Sequence, residues 1–217
     1  MRAAAPWLVL LPLLTAVSLV PAIDLGVSAL FYRGHGVFSA RGTPVGDFVR
    51  TLVPRLILAG VAISIALWIF GRWRGAVFAG LDGLRVTYLL STLVIGPGLV
   101  VNAWLKSYSG RARPDEIVPF GGSAEYTPPL WIADACSKNC SFVSGHAAIA
   151  YWVTAYAFIA PKAWRSRIMA AALVFGSAVA AVRVMQGAHF VSDVLFAGAI
   201  VVGINVLAAR LVLRPEA

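Results

Sequence analysis

From Val86 to Leu105 the chain runs for twenty residues without a charged side chain, closed by Arg85 on one side and Lys106 on the other. A membrane-crossing helix needs about 20 largely apolar residues, and this run meets that length. Five further apolar runs extend over about 7–23, 54–70, 145–160, 168–182 and 189–213. The second is stopped by Arg72 and Arg74, and Gly96, Pro97 and Gly98 are expected to kink the third. A cleaved signal peptide is the rival reading of the first. Only Arg2 precedes it, and more apolar chain follows it, which favours a retained span.

The expected fold is therefore all-α: a polytopic membrane protein, one domain over 1–217, built as a six-helix bundle with a long polar loop at 106–144. Only 12% of the chain is charged and 60% is hydrophobic, where soluble chains are about a quarter charged. That excludes an ordinary cytosolic enzyme. A formal net charge of +9 would suggest nucleic acid in a soluble protein. Here basic residues flank spans and face anionic lipid, and no basic run or stacking platform appears, so no nucleic-acid partner is expected. Two cysteines and three histidines are too few for a metal cluster of recognisable spacing, so no metal is expected.

Six spans put both termini on one side. Lys and Arg divide evenly, nine to that side and nine to the other. The short turn with Lys162, Arg165 and Arg167 breaks the tie in favour of a cytoplasmic side, because dense charge in a short loop is the stronger signal. The 106–144 loop then faces outward. If it faces an oxidising compartment, Cys136 and Cys140 are expected to close a small disulfide loop. Two free thiols are the alternative, and zinc would need two more ligands.

Ionisable groups at the ends of membrane spans are costly and often functional. Three clusters fall at the same expected face: Lys106 to Pro114, Ser144-Gly145-His146, and Arg183 to Asp193. Lys106, Arg113 and Arg183 supply positive charge suited to phosphate oxygens. Ser144 and the Gly145 N–H, at a helix start, would complete an anion site. His189 and Asp193 are one helical turn apart, so the carboxylate would accept from one ring nitrogen and leave the other as a nucleophile. His146 is left to protonate a leaving oxygen. Singly, each has a plainer reading. A histidine at a helix start is often structural, Asp193 would equally answer the helix dipole, and a basic residue at a span end often anchors to the interface. Arg111 is read as such an anchor, or at most a secondary phosphate contact, and His35 as a solvated residue.

Together the clusters resemble the tripartite signature of the type 2 phosphatidic acid phosphatase superfamily: K-x6-R-P at Lys106 to Pro114, P-S-G-H at Val143 to His146, and S-R-x5-H-x3-D at Val182 to Asp193. Val143 and Val182 depart from the pattern, replacing Pro and Ser; neither change removes a nucleophile or a cation. The resemblance implies a metal-independent, cofactor-free lipid phosphatase with a phosphohistidine intermediate. His189 would attack, Asp193 would hold it, and His146 would serve as acid and then base. Lys106, Arg113, Ser144, Gly145 and Arg183 would bind the phosphoryl group. No obligatory protein partner is implied beyond the bilayer and a lipid phosphate.

The loop residues Phe120-Gly121-Gly122, Tyr126-Thr127-Pro128, Cys136 and Asn139 to Phe142, with Pro21 to Leu25, are similar to bacterial lipid A 1-phosphatases. That implies an inner-membrane enzyme facing the periplasm and acting on the 1-phosphate of lipid A. Undecaprenyl diphosphate, phosphatidylglycerophosphate and phosphatidic acid are the other substrates of the superfamily. A transporter would place its charges near mid-span, whereas these gather at one end. A phosphotransferase would share every catalytic residue and differ only in its acceptor. Activity is expected to survive EDTA, measured as phosphate release in detergent; strict dependence on Mg²⁺ would sink the metal-independent reading.

Overall fold

The computed structural model describes residues 5–213; Arg2 and Arg214, which entered the charge tally, lie outside them. Helices α1 (Ala5–Leu19) and α2 (Pro21–Ala29) meet at a bend of 86°. The bend has a local cause. Pro21 offers no N–H to continue α1, and it keeps Val20 out of the helical region, at φ −117° and ψ 89°. Helices α3 (Pro44–Arg74), α4 (Gly83–Tyr108), α7 (Arg165–Met185) and α8 (Val191–Val212) are each long and apolar enough to cross a membrane. The α1–α2 pair makes a fifth if it counts as one bent span.

The six-span expectation thus holds only in part. The expected fourth span, 145–160, is two short helices, α5 (Gly145–Trp152) and α6 (Ala155–Ile159). At the break, Thr154 Oγ1 donates back to the Tyr151 carbonyl at 2.7 Å. Asn205 of α8 donates to the Trp152 carbonyl at 3.2 Å and to Thr154 Oγ1 at 3.0 Å. Ala147, Ala148, Ala150 and Trp152 are fully buried. Irregular backbone is tolerated at membrane depth when protein encloses it and satisfies its polar groups.

The Gly96-Pro97-Gly98 run lies inside α4 without ending it. From Val94 to Leu105 the backbone widens into a π-helix, which absorbs the proline ring and its missing N–H. Asn102 then donates to the Pro97 carbonyl at 2.6 Å. A π-turn at Phe48–Leu52 does the same in α3, just before Pro54.

Residues 44–53, which precede the expected second span at 54–70, belong to α3, and the chain before them folds over the turn that follows α7. Ala40 N–H donates to the Met185 carbonyl at 3.0 Å. Gly187, at φ +67°, lies so close to Phe38 that a Cβ would come within 2.3 Å of the ring. The long loop begins after Tyr108 and carries single turns at Pro114–Glu116 and Val118–Phe120. Its buried Ile117 and Phe120 pack with Phe38 and Phe190.

Small residues let α5 pack between α7 and α8. The Tyr151 ring fills the space over Gly176 and Gly198, where added Cβ atoms would lie 2.5 Å and 3.0 Å from its carbons. Gly176→Ala is expected to destabilise the bundle by roughly 1–3 kcal/mol, as overpacking does. Thermal melting in detergent should show a lower midpoint, while Gly26→Ala, with nothing within 4 Å of its added Cβ, should leave it nearly unchanged.

Candidate active site

His189 sits on the turn between α7 and α8 and is fully buried. Its Nδ1 lies 2.8 Å from the Ser141 carbonyl. A carbonyl only accepts, so Nδ1 carries the proton and Nε2 of the neutral ring holds a bare lone pair. Nε2 is buried with no protein hydrogen-bond partner. Burial pushes the imidazole pKa down to about 3, against the pull of Asp193, so the ring is neutral at neutral pH.

Asp193 does not orient His189 directly as expected: Asp193 Oδ2 is 3.7 Å from Nδ1, too far for a hydrogen bond. That oxygen instead accepts from Ser141 Oγ at 2.5 Å and from the Phe190 N–H at 2.9 Å, capping the start of α8. The helix-start reading of Asp193 therefore holds as well. Ser141 is the intermediary, its hydroxyl on the carboxylate and its carbonyl on the histidine.

The other carboxylate oxygen accepts from Arg111 Nη1 at 2.5 Å. Arg111 is neither an interface anchor nor a phosphate contact, which corrects the sequence reading. It is 1% exposed, and each of its three nitrogens is engaged. Nε donates to the Thr127 carbonyl, Nη1 to Ser192 Oγ and Asp193, and Nη2 to Asp24 Oδ2 at 2.7 Å. Its Cζ lies over the Phe190 ring, 4.3 Å from the centroid. Burial works against its charge, but Asp193 and Asp24 outweigh burial and raise its pKa further. Asp24, on α2, also accepts from the Ser192 N–H, Ser192 Oγ and Tyr126. Sequence reasoning missed Asp24 as a site residue. A carboxylate between apolar neighbours, directly after the first apolar run, was the available signal.

Three cations converge on the same space. Arg113 and Arg183 lie close enough to exert their charge on Lys106, His146 and His189 alike. Lys106 donates to Asn139 Oδ1 at 2.5 Å, and Arg113 Nη2 to the Asn139 carbonyl at 2.8 Å. Arg183 hydrogen-bonds Gln186 through Nη1, while its Nε is buried with no protein partner. A small polar cavity of about 130 Å³ lies beside them, lined in part by Arg41, Arg50, Arg113, Asp115 and Arg183. Asp115 pairs with Arg41, and burial raises its pKa despite that pair.

His146 lies in the first turn of α5, and its Nε2 is 2.9 Å from the Arg50 carbonyl. Pro54 has no N–H to give that carbonyl four residues earlier. By the same reasoning as for His189, Nε2 is the protonated nitrogen and Nδ1 is free. Ser144 Oγ accepts the cap bond from the Ala147 N–H at 3.3 Å, which leaves its hydroxyl proton available. Gly145 packs where a Cβ would lie 2.7 Å from Asn102 Oδ1. Val143 is fully buried and Val182 half-buried, both packed on apolar neighbours. Cys136 and Cys140 are joined with a Cα–Cα separation of 5.6 Å. From Lys106, Gly145 and His146 an apolar groove of about 480 Å³ runs between α3 and α4, past Leu58, Leu93 and Val94.

Residues 85–216 match the sequence model of the PAP2 superfamily. A lipid A 4′-phosphatase of Rhizobium leguminosarum is 33% identical over 188 residues, covering 81% of each chain. One from Francisella tularensis subsp. novicida is 40% identical over 116 residues, 52% of this chain and 51% of that protein. One from Rhizobium etli is 34% identical over 80% of this chain and 73% of its own length. The crystal structure of the first transmembrane PAP2 type phosphatidylglycerolphosphate phosphatase from Bacillus subtilis has a similar fold. Its TM-score is 0.57, with 20% identity over 97% of this chain and 96% of that one.

Removing one partner of a buried ion pair costs about 3–5 kcal/mol, because the other charge stays buried without compensation. Arg111→Met strands two carboxylates, and is expected to lower the thermal midpoint in detergent more than Arg113→Met, whose side chain is partly exposed. Equal midpoints would show that the network contributes little to folding.

Proposed function

The chain belongs to the PAP2 superfamily and is a lipid phosphatase; from that premise we propose that it removes a phosphate from lipid A through a phosphohistidine on His189. The observation that carries this reading is the His189 ring itself. Its proton is held at Nδ1 by the Ser141 carbonyl, and its lone pair at Nε2 is buried and unpartnered among positive charges.

In the first step His146, having taken a proton from solvent at Nδ1 while its Nε2–H stays on the Arg50 carbonyl, gives that Nδ1 proton to the sugar oxygen as His189 Nε2 attacks phosphorus and the P–O bond breaks. In the second, His146 takes a proton from water, the oxygen of that water attacks phosphorus, and the P–N bond breaks to release phosphate. Lys106, Arg113 and Arg183 offset the charge on the transferring group, with the Ser144 hydroxyl and the Gly145 N–H as further donors. Electrostatic stabilisation of this kind is usually the largest catalytic contribution. The Asp24–Arg111–Asp193 group carries one net negative charge beneath His189, which offsets the positive charge the ring acquires on phosphorylation.

The apolar groove between α3 and α4 ends at Lys106, Gly145 and His146, and suits acyl chains whose phosphate reaches the cations. The loop residues pointed to the 1-phosphate of lipid A. The relatives named as lipid A 4′-phosphatases favour the 4′-phosphate. That position makes His146 matter more, since a secondary sugar alkoxide leaves less readily than an anomeric oxygen. In the bilayer of a bacterial inner membrane, this reading puts the site at the periplasmic face.

The test is phosphate release in detergent and EDTA from bis-phosphorylated lipid A, undecaprenyl diphosphate, phosphatidylglycerophosphate and phosphatidic acid. Mass spectrometry would locate the phosphate lost from lipid A. His189→Ala is expected to abolish release, and Lys106→Ala to reduce it by about a hundredfold or more while the protein stays folded. An acid-labile phosphoenzyme should form in the wild type and be absent in His189→Ala. Loss of the 1-phosphate would overturn the positional assignment, and an active His189→Ala would overturn the phosphohistidine. Phosphate appearing on an added lipid or alcohol, without free phosphate, would make the enzyme a transferase.

A further inference from the structure

Two of the three cations in the phosphate site are held by one residue, Asn139, which lies outside the three motif clusters. Asn139 Oδ1 accepts from Lys106 Nζ at 2.5 Å, and its backbone carbonyl accepts from Arg113 Nη2 at 2.8 Å. Like charges drawn into one pocket repel, so Lys106 and Arg113 need acceptors to stay converged. An asparagine meets that need without cancelling the charge that phosphate requires. An aspartate in its place would pair with the cations and repel the substrate.

The local backbone explains how a loop residue keeps this position. Asn139 has φ +58°, in the left-handed region that asparagine tolerates better than most residues. It lies inside the turn that Cys136 and Cys140 close. Cys140 is fully buried, and its N–H donates to the Lys106 carbonyl at 3.2 Å. The next residue, Ser141, donates its N–H to the Arg111 carbonyl at 2.9 Å and accepts from His189 Nδ1 at 2.8 Å. The run Asn139-Cys140-Ser141 therefore touches two cations and the histidine, and the disulfide anchors its middle residue.

We propose that Asn139 is a positioning residue that holds Lys106 and Arg113 in register for phosphate, and that the Cys136–Cys140 disulfide holds Asn139, so that phosphate binding and turnover depend on the redox state of this pair. The proposal rests on the phosphate-site reading above. It requires no new chemistry, only that reduction, by opening the S–S bond to two thiols with a dithiol reagent, loosens the turn.

The experiment measures inorganic phosphate affinity by calorimetry in detergent, which needs no turnover, alongside kcat and KM on the lipid substrate. Asn139→Gly keeps the left-handed backbone and the carbonyl for Arg113, and removes only the hold on Lys106. It is expected to weaken phosphate binding and lower kcat/KM about tenfold, as loss of a hydrogen bond to a charged group does. In a Lys106→Ala background the same change should have no further effect on phosphate affinity, since the two residues act as one unit. A merely structural Asn139 would instead give additive losses, which would overturn the positioning role. Reductant should lower phosphate affinity and kcat/KM in the wild type. Cys136→Ser/Cys140→Ser should start at that lower value and ignore reductant. Reduction that lowers only the melting temperature would overturn the redox dependence. A wild type that binds no phosphate would overturn the phosphate site and this proposal together, whereas an active His189→Ala that still binds phosphate would overturn only the phosphohistidine.

Discussion

The guanidinium of Arg111 sits out of water between the carboxylates of Asp24 and Asp193, and the arrangement around His189 depends on it. Burying three charges is costly unless each is paired and its remaining hydrogen-bonding capacity is met. Here Ser192, Tyr126, Ser141 and backbone groups meet it. A planar fork addresses two carboxylates on different elements at once, which a lysine ammonium on its flexible stem does less well. The result ties the bent α2, the long loop and the start of α8 into one unit. Through Ser141, that unit reaches the ring of His189.

Backbone carbonyls, rather than carboxylates, hold the two histidines. The Ser141 carbonyl fixes the proton of His189 on Nδ1, and the Arg50 carbonyl fixes that of His146 on Nε2. Each acceptor has a traceable origin. Ser141 lies in irregular backbone just after the closed cysteine turn. Arg50 lies in the π-turn before Pro54, where no proline N–H competes for its oxygen. Prolines that look like faults in membrane helices thus shape the site: Pro21 bends the chain to bring Asp24 inward, and Pro54 leaves a carbonyl for His146. The polar ends of the helices gather at one edge of the bundle, beside an apolar groove. In the proposed reaction, the phosphate of a lipid meets the cations there while its chains remain among apolar side chains.

Much of this is legible in the sequence, because it depends on short-range patterns. A charge-free run as long as 86–105 has few folds open to it, and α4 covers it. The spacings that join Lys106 to Arg113 and Arg183 to His189 keep these residues near one another along the chain. The limits are also physical. The apolar run at 145–160 reads as a full span, yet it is two short helices, because Asn205, about fifty residues away, satisfies the carbonyl at the break. Hydropathy registers length, and has no means of registering a distant partner.

The chain by itself determined a helical membrane protein and the set of ionisable groups at one end of it. These follow from composition and local period, which every window of sequence displays. Only the tertiary structure decided how the groups are used. Asp24 meets Ser192 across 168 residues, Arg111 turns inward rather than outward, and Ser141 stands between Asp193 and His189. Such pairings depend on where bent helices and loops finally pack. Backbone carbonyls such as those of Ser141, Asn139 and Arg50 are present in every residue, so no letter of the sequence distinguishes the ones that orient a histidine or hold a cation.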